Sequence, residues 1–596
     1  MPKGFRAPSY WLLIIAFAAI FLAALFSPPL LDDADSTHAE AAREMLVSGD
    51  YVTLHINGVR YLEKAPLPYW LVAASYGMFG VNEFATRLPM AVSVLLLGLL
   101  ATVWGGRAFG ERAGIYAGLF VYTAAGVFLF TRILIPDVLL SLLTAAALYF
   151  FSTALEQERR SWRWYAGYAC MALGVLTKGL IALVFPSGTA FVYLLLTGEW
   201  RRWREFRLAS GLALFLVIAA PWHILAGLRN TGGQGGHGFF WFYFVNEHFL
   251  RFLGKRYPRD YNKLPCALYW SLHLVWLFPW SLYIPAAVRT AIDHRKEPHS
   301  DFCARTRLLC WTFATLVLIF FAISTNQEYY TFPAYLPFLL LIADGVARSE
   351  WSDRNVSVRT GWLRFSAGIL AGVGIVAGIV LLTLLWKSRH LPFEPDIGNV
   401  LAKHDIDTDT LSTSHMLDLS YESFAALRLP ALIAAVVSLI APVSSFLLRM
   451  RRRHYLATWV MAVGMTLFLV AAHIALGRFG PYLSSKDLAQ KIAAVEHPGD
   501  RVMIYGDQAF GSSLLFYLRR PIELVEGRTT SMWFGSTFPD APRIYLSNAD
   551  LQKEWSTDAR IFLFVPAHLK LKVDSLLPKR FVIAEESGKY VYSNKP

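Results

Sequence analysis

Long uncharged apolar windows recur along most of this 596-residue chain, and no other feature constrains its fold as strongly. A stretch of about 20 apolar residues can cross a bilayer as a helix. About 13 such windows are readable, near 10–30, 86–105, 113–131, 136–153, 164–180, 181–198, 207–227, 265–288, 307–325, 330–347, 364–386, 429–448 and 456–476. Only 17% of the residues are charged and 55% are hydrophobic, whereas a soluble chain carries roughly a quarter charged residues. The expected class is an α-helical polytopic membrane protein. A net charge of +13 would suit a nucleic-acid binder, but the charge sits in short clusters between apolar windows. Topology therefore accounts for it, and no nucleic-acid partner is expected.

Those clusters set an orientation. With the N-terminus in the cytoplasm, every second loop is basic: 105–112, 156–164, 199–207, 289–307, 348–364 and "RMRRRHY" at 449–455. The first apolar run follows Lys3 and Arg6 but is long enough to span, so it reads as a retained helix rather than a cleaved leader. Residues 1–476 then form a transmembrane domain with outer loops 31–85, 228–264 and 387–428. Residues 477–596 form a small periplasmic α/β domain, because strand-like runs such as "DRVMIYG" and "IFLFVP" alternate with amphipathic stretches such as "SKDLAQKIAAVE". That domain has no glycine-rich phosphate loop and no metal-ligand cluster, so no nucleotide cofactor is expected, only a supporting or recognition role. The four cysteines, Cys170, Cys266, Cys303 and Cys310, show neither metal-ligand spacing nor an obvious disulfide pair.

The outer face collects the chemistry. "LLDDADSTHAEAAREML" sets Asp32, Asp33 and Asp35 directly behind the first apolar run and ahead of an amphipathic helix. Helix capping is the plain reading of any one of them, yet three acids exceed what a cap requires. Glu63 and Lys64 precede a proline turn and an aromatic interfacial helix. Asp137 opens the fourth window and Lys178 lies between the fifth and sixth, where a charge in apolar text faces a cavity or a partner. Arg251 heads a basic stretch that runs to Lys263, and Tyr329 and Tyr330 open the tenth window on the same side. The acids Asp33, Asp35 and Asp137 are candidate general bases. The cations Lys64, Lys178 and Arg251 are candidate phosphate holders.

These residues carry a resemblance. "ADSTHAEAAREMLVSGDYVTLHINGVRYLEKAPLPYW" is similar to the first periplasmic loop of polyprenyl-phosphate-sugar-dependent glycosyltransferases of the GT-C fold. The nearest group is the aminoarabinose (lipid A) transferases, with the protein O-mannosyltransferases more distant. "ILIPDVLLSLL", "LTKGLIALVFP", "NEHFLRF" and "YYTFPAYLP" follow in family order. Two departures stand out. Counted back from "REM", the family's catalytic aspartate falls on Ala34 and its following glutamate on Asp35, which leaves Asp33 as the favoured base with Asp35 to orient or assist. The family's "HEH" is Asn246-Glu247-His248 here.

The resemblance implies an undecaprenyl-phosphate-linked sugar as donor, a lipid A-like or other cell-envelope acceptor, contact with membrane lipids, and inversion at the anomeric carbon in the bacterial inner membrane. It implies Lys64, Lys178 and Arg251, with Tyr329 or Tyr330, around the leaving phosphate, and a possible divalent metal ion at Glu63 and His248. Protein O-mannosyl transfer on the same fold and non-catalytic lipid-linked sugar transport are the rival readings. Transport would place its charges nearer the membrane midplane.

Overall fold

Within a bilayer each backbone amide must find its partner inside the protein, so apolar windows fold as helices. The computed structural model describes residues 8–156, 161–259, 263–295, 301–325, 327–351, 357–393, 397, 421–528 and 531–596. Among these, seven helices are long and apolar enough to cross a membrane: Glu83–Phe109, Asp137–Ala154, Leu208–Arg229, Phe302–Ile323, Gly361–His390, Arg428–Met450 and His454–Arg478. A bent pair, Cys266–Trp276 and Trp280–Asp293, makes an eighth if counted as one span.

The count of about 13 spans is not confirmed helix for helix, because several apolar windows do not fold as single long helices. The window 265–288 turns by 95° within that pair, and the window 113–131 divides at the extended residue Ala124 into Glu111–Thr123 and Ala125–Phe130. The two breaks meet. Ala125 donates its N–H to Phe278 O at 3.0 Å, Trp280 Nε1 donates to Thr123 Oγ1 at 3.0 Å, and the Phe120 and Trp280 rings stack 3.7 Å apart. Unwound backbone at membrane depth is tolerated where protein satisfies it, and here one break satisfies the other. The first window is a short distorted helix, Pro8–Phe17, continued by π and 3-10 turns to Leu25.

Loop 31–85 folds as helix Ala34–Ser48, a hairpin of β1 (His55–Ile56) and β2 (Val59–Arg60), and helix Leu67–Phe79. Asn57 and Gly58, at φ 55° and 73°, make the left-handed two-residue turn that hairpin strands favour. Ala39, Ala42 and Met45 are buried on the inward face of the first helix, as its amphipathic pattern requires. Of the expected outer loop 387–428, residues 394–396 and 398–420 lie outside the described residues.

The tail is the expected α/β domain. Strands β3 (Arg501–Tyr505), β4 (Glu523–Val525), β5 (Tyr545–Leu546), β6 (Ile561–Pro566), β7 (Phe581–Glu586) and β8 (Lys589–Ser593) form one sheet in the order β5-β4-β3-β6-β8-β7. The first four are parallel, and β7 and β8 close the edge as an antiparallel hairpin. One helix, Asn548–Trp555, escapes the sequence pattern, because it is polar and buries only Leu551. A capping box of Ser547 and Asp550 starts it.

The domain is clamped to loop 31–85, to Leu30 just before it and to loop 228–264. Asn57 exchanges two hydrogen bonds with the Ile522 backbone, at 2.6 and 3.0 Å. Leu30 N–H donates to Tyr517 OH at 2.8 Å, Arg60 pairs with Asp540 through two 2.7 Å bonds, and the Phe242 and Phe534 rings stack 4.1 Å apart. Each buried bond contributes about 1 kcal/mol, and the exposed arginine pair less.

Candidate active site

The three acids of the first loop go to three different places. Asp32 accepts from Ser513 N–H and Oγ–H at 2.9 and 2.7 Å, from Ser485 Oγ at 2.7 Å and from Lys589 Nζ at 2.8 Å. It is a clamp for the C-terminal domain, holding a first-turn N–H of helix Ser512–Leu518, and does not cap the helix that follows it in sequence. Asp35 is fully buried. Its carboxylate accepts from Leu134 N at 2.9 Å, from Leu31 N at 3.1 Å and from Arg87 Nη2 at 3.3 Å. It does not line the outer cavity, which corrects its reading as a catalytic acid. Asp35 ties the loop to the segment leading into helix Asp137–Ala154.

Asp32 and Asp33 both line the cavity, but the Asp32 carboxylate is taken up by Ser485, Ser513 and Lys589. Asp33 occupies the N-cap position with φ 69° and ψ −122°, yet its side chain makes no capping bond. Such a conformation costs a non-glycine residue about 1–3 kcal/mol and persists only where the surroundings enforce it. Here the C-terminal domain enforces it: Asp33 N–H donates to Ser512 Oγ at 2.8 Å and to Ala509 O at 3.1 Å. Its carboxylate accepts no hydrogen bond from the described residues and is aimed into a walled recess. Enclosure by protein, followed by the like charge of Asp507, pushes its pKa up to about 6. A carboxylate with proton affinity near neutrality and a free face is suited to take a proton.

Opposite stands a wall of cations. Lys178 Nζ lies 2.5 Å from Asp137 Oδ1 and sits over the Tyr330 and Tyr329 rings at 4.6 and 5.1 Å. Asp137 Oδ2 is buried with no partner among the described residues. Arg251 donates to Tyr330 OH at 2.8 Å and to Glu247 Oε2 at 2.9 Å, and Lys64 pairs with Glu63 at 2.9 Å. The turn after Lys178 needs Gly179, which has φ 83° and where any Cβ would fall 2.2 Å from His248 Nε2. Segment Trp241–Leu250 is a π-helix, a form found often at functional sites. It buries Asn246 and Glu247 and leaves Arg251 at the cavity wall.

All the expected residues except Asp35 line one cavity of about 1280 Å³: Asp33, Asp137, Lys64, Lys178, Arg251, Tyr329, Tyr330, Glu63 and His248. Ala34 lines it beside Asp33. Toward the membrane its walls are apolar, with Phe130, Ile181, Val184 and Phe320. On the far side, residues 507–510, 566–568 and 587–589 of the C-terminal domain close it. Sequence reasoning missed Asp507 and Gln508. Their signal was "MIYGDQ", a strand followed by a polar turn, since ligands of open parallel sheets gather beyond the carboxyl ends of strands.

Glu63 and His248 do not fit a metal ion. His248 Nδ1 is 2.6 Å from Tyr243 O, and its Nε2 accepts Leu180 N–H at 3.2 Å, so both ring nitrogens are engaged. Burial lowers its pKa, in keeping with a neutral ring. Both Glu63 oxygens accept from protein donors, Tyr61 OH at 3.0 Å and Arg256 Nη2 at 2.7 Å. Burial would raise the pKa of Glu63, but Lys64, Arg256 and Arg251 overcome it and hold the group well below the usual carboxylate range. No group of three or more metal-ligating side chains occurs among the described residues.

The chain is similar to several known proteins. The family of dolichyl-phosphate-mannose-protein mannosyltransferases matches residues 63–225. An undecaprenyl phosphate-alpha-4-amino-4-deoxy-L-arabinose arabinosyl transferase of Pseudomonas paraeruginosa is 29% identical over 61% of this chain and 65% of its own length. The matched region thus spans just under two thirds of that relative. The corresponding protein of Erwinia tasmaniensis is 26% identical over 95% of this chain and 94% of its own. The crystal structure of ArnT from Cupriavidus metallidurans bound to undecaprenyl phosphate superposes with a TM-score of 0.77 at 26% identity, covering 99% of this chain and 98% of that one.

Fold and site together define a multi-pass membrane protein of the GT-C type. Within that class, the chain is similar over nearly its whole length to an undecaprenyl phosphate-alpha-4-amino-4-deoxy-L-arabinose arabinosyl transferase.

Proposed function

We propose that this protein transfers a sugar from a polyprenyl (undecaprenyl) phosphate donor to a lipid A-like or other cell-envelope acceptor at the outer face of the bacterial inner membrane. The N-terminus is then cytoplasmic and the C-terminal domain periplasmic. One observation carries the reading: a single cavity joins a carboxylate with a free face, Asp33, to Lys64, Lys178 and Arg251, and opens into apolar walls on the membrane side. A lipid-linked phosphate needs both halves, cations for its headgroup and apolar surface for its tail.

In the step this supports, the bond from the anomeric carbon to the phosphate oxygen breaks, and polyprenyl phosphate leaves with the electron pair. Lys64, Lys178 and Arg251, with Tyr330 behind them, stabilise the departing anion, a role that is usually a large catalytic term. The acceptor oxygen attacks from the opposite face, and its proton passes to Asp33 or the charge of an ionised acceptor is oriented by it. Inversion follows. Asp137 holds Lys178 in place and offers Oδ2 to a donor hydroxyl.

The test is release of free polyprenyl phosphate by purified protein in nanodiscs, with polyprenyl-phosphate sugars and envelope lipid extract. Acceptor-dependent release that is lost in Asp33→Asn supports a transferase. Intact lipid binding without release from any donor would turn the reading to transport.

A further inference from the structure

Glu63 and Glu247 are buried carboxylates joined by one guanidinium. Arg256, its side chain only 4% exposed, donates from Nη2 to Glu63 Oε2 at 2.7 Å and from Nε to Glu247 Oε1 at 2.6 Å. Two buried carboxylates sharing a site cannot both stay ionised without a cation between them. A planar fork with donors on two edges can bridge them, which a lysine ammonium cannot do as well.

The outer oxygens of the same carboxylates then act on the cavity. Glu63 Oε1 holds Lys64 Nζ at 2.9 Å, and Glu247 Oε2 holds Arg251 Nη1 at 2.9 Å. Among the described residues, these two carboxylates and three cations sum to one positive charge, and Lys64 and Arg251 are the pair that lines the cavity. Asn246 helps deliver the guanidinium. Its amide donates to Glu247 Oε1 at 3.1 Å and to Tyr257 O at 2.8 Å, and accepts Tyr257 N–H at 3.0 Å. This pins the turn next to Arg256 across the π-helix. A histidine ring in place of Asn246 could not make this double bond to a backbone unit.

The geometry points to Arg256 as a built-in cation that serves this chain where the family motif implies a divalent ion. It is a positioning residue that sets Lys64 and Arg251 against the donor phosphate, and the reaction runs without added metal.

The first test needs no variant and does not depend on the transferase reading: elemental analysis of the full-length protein in nanodiscs. Metal well below one ion per chain is expected, and undecaprenyl phosphate binding unchanged by chelator. A stoichiometric metal ion, or binding that collapses with chelator, overturns the proposal. The second test, which rests on the transferase reading, follows polyprenyl phosphate release. Arg256→Lys should raise KM for the donor about ten-fold with kcat nearly unchanged, because a point charge cannot hold both carboxylates. Arg256→Ala should lose release and regain part of it with added Mn²⁺ or Zn²⁺, which wild type ignores. Equal falls in kcat and KM terms for both variants, with no response to metal, would make Arg256 merely structural and refute it. Should wild type release nothing from any donor, the transferase reading fails, and the metal analysis and lipid binding still decide on Arg256.

Discussion

Asp33→Asn should make the protein slightly more stable and nearly inactive. The carboxylate accepts no hydrogen bond from the described residues, and its backbone is held by Ser512 and Ala509 regardless of side chain. Asparagine therefore fits without loss. In the folded protein the carboxyl has its pKa raised from 3.8 to about 6, so the native state binds this proton more tightly than the unfolded chain does. Stability is then fullest below about pH 4 and declines as pH rises through about 6, where the native carboxylate must ionise in its recess. A rise from 3.8 to about 6 corresponds at 1.36 kcal/mol per pH unit to about 3 kcal/mol. Asp33 faces water in the open cavity, so screening reduces this to about 1 kcal/mol. Asp33→Asn should show that gain as a higher Tm at pH 7.5 and no difference at pH 4. Loss of a general base costs about 10²–10⁴ in rate. Wild-type donor turnover should rise with pH through about 6 as the base ionises, and the variant should lack that limb. Thermal unfolding in detergent and a pH series of polyprenyl phosphate release read both effects. A lower Tm, turnover within about ten-fold of wild type, or a limb that survives the substitution would refute the reasoning.

Asp35→Asn should behave in the opposite way, losing about 3–5 kcal/mol because Arg87 is left buried without its counter-charge; its Tm should fall at pH 7.5. Asp507→Asn removes the like charge that helps raise Asp33, so the acid limb of the rate profile should move below its wild-type position with turnover at pH 8 little changed. Lys64→Ala should raise donor KM by about 10–100-fold, the worth of a charge-assisted bond to phosphate, while chains of free acceptor bind as before in a competition assay. Asn57→Ala orphans the buried Ile522 amide and carbonyl at a cost of about 2 kcal/mol, so limited proteolysis should release the C-terminal domain faster than from wild type.

Much of this protein is legible from its sequence alone. Apolar length forced helices, because a bilayer leaves the backbone no other partner. The alternation of β-branched runs with amphipathic stretches after residue 477 required a second, α/β domain. Local order also placed Asp33, Asp137, Lys64, Lys178 and Arg251 on one side of the membrane, since each lies at the end of a span or in a loop on the same face. What sequence could not supply was the direction of side chains and the partners of buried charges. Asp32, Asp33 and Asp35 are equivalent as text, within four positions. Only the folded chain makes one a clamp to Lys589, one an open carboxylate at the cavity and one the counter-ion of Arg87. Arg256 reads as one more charge in a basic loop until Glu63 and Glu247 arrive from distant segments to flank it. Both outcomes depend on contacts between residues far apart in the chain, where the energy of a charge is set by what surrounds it and not by its neighbours in sequence.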